Sequence, residues 1–461
     1  MKRRAGFALN ALAAICLAGC SMMPVYQRPA APIPQQWADA SAASATSAAD
    51  LKWQDFFADP NLRALIASAL RNNRDLRIAV LNIEQARALY DIRSADSLPT
   101  VNLGASASRA PTTSGGTSKT YAAGLTVTAW EIDFFGRIAS LGEVALAQYL
   151  GTQEGRKAAQ ISLVGAVANA WLNLVADDEQ LELTRQTLAT RNESLRLTRL
   201  RLDAGVVSEL DLQQAQSLTE AANVAMAQQQ RQRALDVNAL SLLVGEQVGR
   251  EFKPALVTAS INFPDLPAGM PSQVLVQRPD VRQAEQQLIA ANANIGAARA
   301  AFFPRISLTA GLGTASSELS GLFKAGSWGL TVAPQLLLPI FDAGRNAAGL
   351  QSANVSREIA VAQYEKAIQT AFREVADALA GQATLSAQLQ AQRNLVEAES
   401  KRFRLSQLRY QNGVSSYLDL LDSQRSLFAA QQGLIQTRLV QLQNQVLLYR
   451  ALGGGWSASA S

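Results

Sequence analysis

The chain has 461 residues, enough for two or three ordinary domains or for one very elongated domain. Only 6% of the residues are aromatic, which favours long helices packed through small side chains over a thick globular core. Histidine, the commonest general base and metal ligand, is absent from the sequence. The sequence also has no phosphate-binding glycine loop and no metal-ligating cysteine cluster. We therefore predict a protein that is not an enzyme and uses no metal.

The N-terminus has the pattern of an exported lipoprotein. Residues 2–4 are basic and residues 5–17 form an apolar stretch of signal-peptide length, shorter than the roughly 20 apolar residues that span a bilayer. The sequence Leu-Ala-Gly-Cys at 17–20 resembles a bacterial lipobox. That resemblance implies removal of residues 1–19 and attachment of a diacylglycerol and an N-acyl chain to Cys20. An ordinary secretory signal with a chance cysteine is the alternative.

Removal of the signal peptide changes the charge and the cysteine content of the mature chain. Three basic residues are lost, so the formal net charge falls from +5 to +2, which gives no case for nucleic-acid binding. Cys16 is lost as well, so no disulfide is expected. Ser21 stands where an aspartate usually signals inner-membrane retention in this class of lipoprotein, and we therefore expect the outer membrane of a Gram-negative bacterium. Residues 20–59 are predicted to form an acylated, extended tether, since 24–49 is rich in proline, alanine and serine.

The rest of the chain contains one long unit twice. Residues 200–216 and 408–424 are identical at 9 of 17 positions, at an offset of 208. Upstream, Leu98-Pro99 and Phe303-Pro304 open similar stretches at an offset of 205. We predict two tandem repeats, 60–245 and 270–453, with a linker at 246–269 and a flexible tail at 454–461; this period is too long for a solenoid.

Each repeat is predicted to begin with a helix followed by two strands. The helices are expected over 60–96 and 271–301, each ended by a proline just beyond it. Alternating apolar residues predict strand pairs within 100–135 and 305–341, with strands at 101–109, 122–135, 306–314 and 327–341. Pro334 and Pro339 weaken the last of these, because proline cannot donate to the ladder.

A very long helical hairpin completes each repeat. Helical stretches without proline are predicted from Arg137 and Arg345 to Gly205 and Gly413, which at nearly 70 residues corresponds to roughly 100 Å of helix. Apolar residues recur there every seven positions, as is typical of coiled-coil packing; in the first repeat they are Val167, Leu174, Leu181, Leu188, Leu195 and Leu202. Return helices are predicted over 208–245 and 416–453.

The turn of each hairpin has matched stop and start signals. Gly205 and Gly413 stand where a helix C-cap favours a left-handed residue, so the hairpin tips are expected there. Ser208 and Ser416 are good N-caps, each followed three residues later by an aspartate.

Four strands cannot close a barrel, because about eight are needed, and open sheet edges are not tolerated in lipid. The strands therefore require other chains, and three chains would give twelve strands, an even number within the range of outer-membrane barrels. These considerations predict an α+β membrane protein in which a coiled-coil α-helical barrel continues a shared transmembrane β-barrel. The residues alone do not fix the number of chains.

Longer motifs cover nearly the whole mature chain. Besides the lipobox they are WEIDFFGR at 130–137, RPDVR at 278–282, PIFDAGR at 339–345, the Gly413-Val414 tip and LGGGW at 452–456. Together they are similar to those of the TolC-like outer-membrane efflux proteins, in particular the NodT-type lipoprotein branch typified by OprM. The resemblance implies a homotrimer with a twelve-stranded β-barrel and a periplasmic tunnel. It also implies an adaptor and an inner-membrane pump of the resistance–nodulation–division (RND) class as partners, and small compounds or drugs as cargo.

The resemblance further implies a gate at the periplasmic end of the tunnel. The positions that match its constriction are Leu418, Asp419 and Asp422. The positions that match a latch, which holds the hairpin to its neighbours, are Arg409, Tyr410 and Asp211. At the tips, the positions that match adaptor contacts are Gly205, Val206, Gly413 and Val414.

The residues support part of this assignment and leave alternatives open. Asp419 and Asp422 share a helix face, so three copies would place six carboxylates around one axis, an arrangement that selects for cations. Asp419, however, is also placed to stabilise the helix start through its dipole, by about 0.3–1 kcal/mol. Arg409 suits a helix C-terminus in the same way, and Tyr410 replaces a heptad leucine, which is equally consistent with core packing. Asp422 lies beyond the first turn and has no capping role.

Other functions are less well supported by the sequence. A periplasm-spanning structural coiled-coil lipoprotein is the alternative outside transport, but such a tether needs no alternating strand pairs. The same channel could serve metal-ion efflux or protein secretion, although the absence of histidine argues weakly against soft-metal export. The acidic run at 177–179 is most simply a solvated helix face.

Overall fold

The computed structural model describes residues 21–34, 51–113, 115–249, 252, 257–264, 266 and 272–456. The predicted signal peptide and Cys20 lie outside the described residues, as do parts of the predicted tether, linker and tail. In chain order the elements are α1 (Trp53–Phe56), α2 (Pro60–Asn72), α3 (Arg74–Ala95), β1 (Val101–Pro111), β2 (Thr117–Ile132), α4 (Arg137–Asp203), α5 (Glu209–Val244), α6 (Pro279–Ala300), β3 (Arg305–Ser316), β4 (Trp328–Leu337), α7 (Arg345–Gln411) and α8 (Tyr417–Ala451).

The helix predicted over 60–96 is wrong as a single element, because the chain breaks at Asn73. This residue has an extended backbone, with φ −63° and ψ 131°. Its side-chain oxygen accepts a hydrogen bond from the Leu76 amide at 2.9 Å, so it caps a second helix, α3. The first helix, α2, has its own cap in Asp59, which accepts from the Leu62 amide at 2.8 Å.

The described residues divide into two compact units. The first comprises the described part of Met1–Ala31 together with Leu81–Glu154 and Arg282–Ala367, and it contains the sheet. The second comprises the described parts of Pro32–Val80, Gly155–Val281 and Ile368–Ser461, and it contains both hairpin tips.

The four strands form one antiparallel sheet in the order β1-β2-β3-β4, which leaves β1 and β4 as edge strands. A bulge shifts the register of β2 against β3 between Val127 and Trp130, where Ala129 has a φ of 50°. Pro334 lies within β4 opposite Leu308, and an edge strand tolerates it because one side of its backbone has no ladder partner in the part of the chain that the structure describes. The second strand ends earlier than predicted, since residues 133–136 form a turn.

The two faces of the sheet differ in chemistry. Side chains alternate along each strand, so the pairing places large apolar residues on one face: Val101, Leu103, Leu125, Val127, Leu308, Leu312, Leu330, Val332 and Leu336, with Tyr121, Trp130 and Trp328 nearer the strand ends. The opposite face has small and polar residues, including a row of glycines that pair across all four strands: Gly104, Gly124, Gly313 and Gly329. At the centre of this row a Cβ on Gly124 would lie 2.5 Å from the Gly313 Cα, so the close approach of β2 and β3 requires glycine.

In the first unit, the N-terminal segment, defined here as residues 21–28, runs antiparallel along α6. The Met22 carbonyl accepts from Arg299 at 3.4 Å and the Pro24 carbonyl accepts from Asn292 at 2.8 Å. Farther along, Arg28 donates to both carboxylate oxygens of buried Glu285, at 2.6 and 2.9 Å. The segment is therefore held at three levels of one helix.

In the second unit, the predicted heptad stripe of α4 is only partly buried. Val167 and Leu174 are fully buried, but the stripe from Leu181 to Leu202 is half-buried. The buried residues with heptad spacing in this stretch are polar: Asp177, Thr184, Arg191 and Thr198. The threonine hydroxyls donate to the carbonyls four residues back, which satisfies them inside the helix pair.

Candidate functional site

Both hairpins turn through the same backbone motif. In each turn the glycine has a φ of 71°, and its amide and that of the next valine donate back to the ending helix: Gly205 to Leu202 at 2.8 Å, Val206 to Arg201 at 2.9 Å, Gly413 to Tyr410 at 3.0 Å and Val414 to Arg409 at 2.9 Å. This is the Schellman arrangement, which satisfies carbonyls that a helix end otherwise leaves free. The predicted glycine caps are confirmed.

Each return helix begins with a capping box. Ser208 accepts from the Asp211 amide at 3.2 Å, and the Asp211 carboxylate accepts from the Ser208 amide at 3.0 Å. Ser416 and Asp419 repeat the arrangement, with both distances 3.2 Å. The capping role of both aspartates is confirmed, whereas the gate role of Asp419 and the latch role of Asp211 stay predictions.

Aromatic side chains join the two hairpins just beneath the tips. The rings of Tyr410 and Tyr417 lie 5.2 Å apart, and Tyr417 is buried in a cluster with Ala215 and Leu420. The Tyr417 hydroxyl lies 3.1 Å from the Ser194 hydroxyl of the first hairpin. The half-buried Tyr410 therefore packs in this core, as one of the sequence interpretations allowed.

An arginine–tyrosine contact also links the hairpins, but it involves Arg201 rather than Arg409. Arg201 donates to the Tyr410 hydroxyl at 3.0 Å, and its guanidinium lies 5.4 Å from the centre of the ring. Arg409 is exposed and makes no ion pair with any residue that the structure describes. A latch role for Arg409 stays a prediction.

Asp422 is paired with arginines of its own hairpin. Its carboxylate accepts from Arg402 of α7 and lies 3.6 Å from Arg425 one turn along α8. The Asp422 side chain is half-exposed, so water screens these pairs and each contributes little stability. Their main effect is electrostatic, since the guanidinium groups oppose the attraction that a bare carboxylate exerts on cations.

Sequence reasoning missed both arginine partners of Asp422. The spacing of three residues between Asp422 and Arg425 on one helix was an available signal. Arg402 lies on the other helix of the hairpin, so its contact depends on the register of the two helices, which the sequence pattern left open.

The two tips expose the same apolar set. Eight aliphatic residues around the turns are 44–72% exposed, and those of the second hairpin lie 208 positions after those of the first: Leu197, Leu200, Val206 and Leu210, then Leu405, Leu408, Val414 and Leu418. Exposed apolar groups repeated in this way are typical of a surface that binds another protein.

The acidic run of α4 is not a solvated face, which corrects the prediction. Asp177 is 9% exposed, Asp178 pairs with Arg233 at 2.5 Å, and Glu179 accepts from the Thr258 hydroxyl at 2.8 Å. Burial, with a hydrogen bond and repulsion from Asp236, raises the pKa of Asp177 to about 8. Among the described residues, no group of three or more Cys, His, Asp or Glu side chains could hold a metal ion.

Comparisons with known proteins agree with this geometry. The family profile described as outer membrane efflux protein matches residues 65–246 and 270–454. The toluene efflux pump outer membrane protein TtgC of Pseudomonas putida is 46% identical over 458 residues, which cover 97% of this chain and 95% of TtgC. The solvent efflux pump outer membrane protein SrpC of Pseudomonas putida is 47% identical, with 98% of each chain covered. The open-state structure of the MtrE outer membrane channel of Neisseria gonorrhoeae superposes with a TM-score of 0.87 at 40% identity, covering 95% of this chain and 98% of MtrE.

Proposed function

The chain belongs to the outer membrane efflux protein family, and from this premise we propose that it forms a trimeric, gated channel that carries small organic compounds such as drugs and solvents out of the cell. Its place as the outer-membrane channel component of an efflux pump follows from the family. The cargo is inferred from relatives named for toluene and solvent efflux.

The open sheet is the observation that carries the proposal. It has two edge strands without partners among the described residues and one face of large apolar side chains, with Leu103 82% and Leu330 71% exposed. Lipid would cover the apolar face, and the β1 edge of one copy would pair with the β4 edge of the next. Three copies would then close twelve strands around a lumen lined by small and polar residues.

The gate is proposed at the second hairpin. Leu418 and Asp422 lie on the first two turns of α8, and both side chains are about half-exposed. In a trimer these positions, with Asp419, would narrow the tunnel; their carboxylates would favour cations, and Arg402 and Arg425 would reduce that preference. Arg409, Tyr410 and Asp211 would hold the closed state.

The remaining partners and the lipid anchor are proposed on separate grounds. The repeated apolar tips, around Gly205 and Gly413, suit a periplasmic adaptor, which in turn would connect the channel to an RND pump. Met22 contacts Arg299 at the end of α6, close in sequence to the start of β3. A diacylglycerol and an N-acyl chain on Cys20, two residues before Met22, would therefore enter the membrane beside the barrel.

Single-channel recording in planar bilayers tests the channel and the gate together. The wild type should give small cation-selective openings. Asp422→Asn should weaken the cation preference, because Arg402 and Arg425 keep their positive charges while the carboxylate is lost. It should also enlarge the openings, because the ion pairs at the proposed constriction are broken. Gln214→Ala, at the matching position of the first hairpin, is the control and should leave both properties unchanged.

The possible outcomes separate the proposals. Equal conductance and selectivity in all three proteins would keep the channel and move the gate elsewhere. Folded, membrane-inserted protein without conductance would refute the channel and favour a structural tether.

A further inference from the structure

One arginine of the second unit is buried without an acidic partner. Arg191 of α4 is 5% exposed and forms no ion pair with any residue that the structure describes. Its Nη1 donates to the Leu218 carbonyl of α5 at 2.9 Å, and its guanidinium lies 5.2 Å from the centre of the Phe428 ring of α8. Its Nε is buried and has no hydrogen-bond partner in the described part of the chain. One neutral carbonyl and one aromatic ring are therefore its polar surroundings.

These surroundings do not compensate the charge of Arg191. Arginine stays protonated in proteins, and a buried charge is costly unless an opposite charge pairs with it. Burial, together with repulsion from Arg425 of α8, lowers the pKa of the Arg191 guanidinium. The other arginine among the described buried residues is compensated, since Arg278 lies 2.8 Å from the carboxylates of both Asp280 and Glu374. Arg191 therefore lacks an anion that its setting calls for.

The guanidinium of Arg191 lines a cavity of about 180 Å³ between α4, α7 and α8. Among the described residues around this cavity, Arg191 alone is charged. The apolar wall has side chains from all three helices: Leu183, Phe403, Leu427 and Phe428. Gln424 also lines the cavity, and its side-chain oxygen is buried without a hydrogen-bond partner among the described residues. A cavity of about 150 Å³ can hold one benzene ring, so the space suits a molecule of about that size.

We propose that this cavity binds a small organic anion, namely a carboxylate attached to an apolar group of about the size of a benzene ring. Nη1 is directed to Leu218, which does not line the cavity, so the edge of the guanidinium formed by Nε and Nη2 is left for a ligand. A carboxylate can accept two parallel hydrogen bonds from such an edge. The apolar group would lie against Phe403, Leu427 and Phe428 and displace water from them.

The repeat structure of the chain indicates one such site per chain. At 208 positions after Arg191 the second repeat has Glu399, which pairs with Arg402 at 3.2 Å. At 208 positions before Phe428 the first repeat has Glu220. A carboxylate at either of these positions would repel an anion, so the counterpart of the cavity in the other repeat cannot bind the same ligand. The site also lies within one chain and does not depend on the channel proposed above.

Titration of the detergent-solubilised protein with benzoate tests the site, with isothermal calorimetry as the readout and detergent alone as the blank. Benzoate should bind once per chain. Acetate lacks the ring and benzyl alcohol lacks the charge, so each should bind at least about tenfold more weakly. Inorganic phosphate is charged but has no apolar group, and it should also bind at least about tenfold more weakly.

Three variants locate the binding. Arg191→Gln should weaken benzoate binding about tenfold or more, because two hydrogen bonds to a charged group are lost. Arg196→Gln is the matched control and should bind as the wild type does, because Arg196 lies on the same helix, is exposed and pairs with Glu193. Phe428→Leu keeps the charge and removes one ring, so it should weaken benzoate binding several-fold and leave acetate binding unchanged. This third variant decides the question if Arg191→Gln does not fold.

Several results would overturn the proposal. A wild type that does not bind benzoate would mean that the cavity holds water only. Equal benzoate affinity in the wild type and Arg191→Gln, or in the wild type and Phe428→Leu, would mean that benzoate binds elsewhere. Benzyl alcohol or phosphate bound as tightly as benzoate would refute the assigned class of ligand. Conductance is not part of these measurements, so none of these results bears on the channel.

Discussion

Replacing Asp177 by asparagine should stabilise the protein in alkaline solution and leave it nearly unchanged in acid. Asp177 is 9% exposed and faces Asp236, Asp178 and Arg233, and this setting raises its pKa from the ordinary 3.8 to about 8. A raised pKa in the native state means that folding retains a proton which the unfolded chain has lost. The stability that protonated Asp177 contributes is therefore fully present below about pH 4, falls as the pH rises towards 8, and is absent above that value.

The size of the effect follows from the same pKa. A tenfold difference in proton affinity between the native and unfolded chains corresponds to about 1.4 kcal/mol, so ionising Asp177 in place costs on the order of 6 kcal/mol per chain. Relaxation and water entry reduce this figure, but the sign does not change. Asparagine keeps the shape of the protonated acid and cannot ionise, so Asp177→Asn removes the pH dependence that this site contributes.

Thermal unfolding of the detergent-solubilised protein at pH 5 and pH 9 provides the assay. The variant should unfold several degrees above the wild type at pH 9, and the difference should be markedly smaller at pH 5, where the wild type has lost only about a quarter of the stability that protonated Asp177 contributes. Asp178→Asn is the matched control, and it should be destabilising at both pH values because it removes the negative charge that pairs with Arg233 at 2.5 Å. A variant that is no more stable than the wild type at pH 9 would refute the reasoning.

Two further predictions concern the tip and the N-terminal segment. Gly413→Ala should destabilise the protein by about 1 kcal/mol, because its φ of 71° strains any residue with a Cβ, even though no atom lies within 4 Å of the added Cβ. Gly142→Ala is the control: this glycine is helical and has equally free space, so the change should not destabilise. A thermal shift of the same sign in both variants would contradict the prediction. Glu285→Gln should weaken the pair with Arg28 and speed amide hydrogen exchange in residues 21–28 about tenfold, because hydrogen bonds to charged groups contribute about 1.5–3 kcal/mol. Arg282→Gln on the same helix is its control, and equal exchange in both variants would count against the role of Glu285.

The periodic features of the fold could be predicted from the sequence because each has a local cause. The long helices begin at Arg137 and Arg345, directly after two glycines with a positive φ, and contain no proline, and the tips turn at glycines that likewise permit a positive φ. The α+β class follows from two distinct hydrophobic periods, 3.5 and 2, that alternate along the chain. These signals depend only on neighbours in sequence.

Other features depend on contacts between distant segments, and there prediction was wrong or silent. The sequence pattern is helical on both sides of Asn73, so it predicts one continuous helix. The break between α2 and α3 depends on the capping hydrogen bond that Asn73 accepts from Leu76. Thr184 and Arg191 occupy buried heptad positions although polar residues are expected on the outside of the helix, and each donates a hydrogen bond to a backbone carbonyl there. The burial of Asp177 depends on the facing helix of the hairpin, which no local pattern describes.

The charges near the tips give the strongest reason to place the gate at the second hairpin. The two hairpins share their turn geometry, their capping boxes and their exposed aliphatic residues, so none of these can distinguish them. The ion-paired group Arg402, Asp422 and Arg425 does distinguish them. At the matching positions the first hairpin has Ser194, Gln214 and Ser217, all uncharged. Since exposed ion pairs respond to salt and to the approach of other charges, the second hairpin alone has a group at these positions that can change partners when copies of the chain or an adaptor come close.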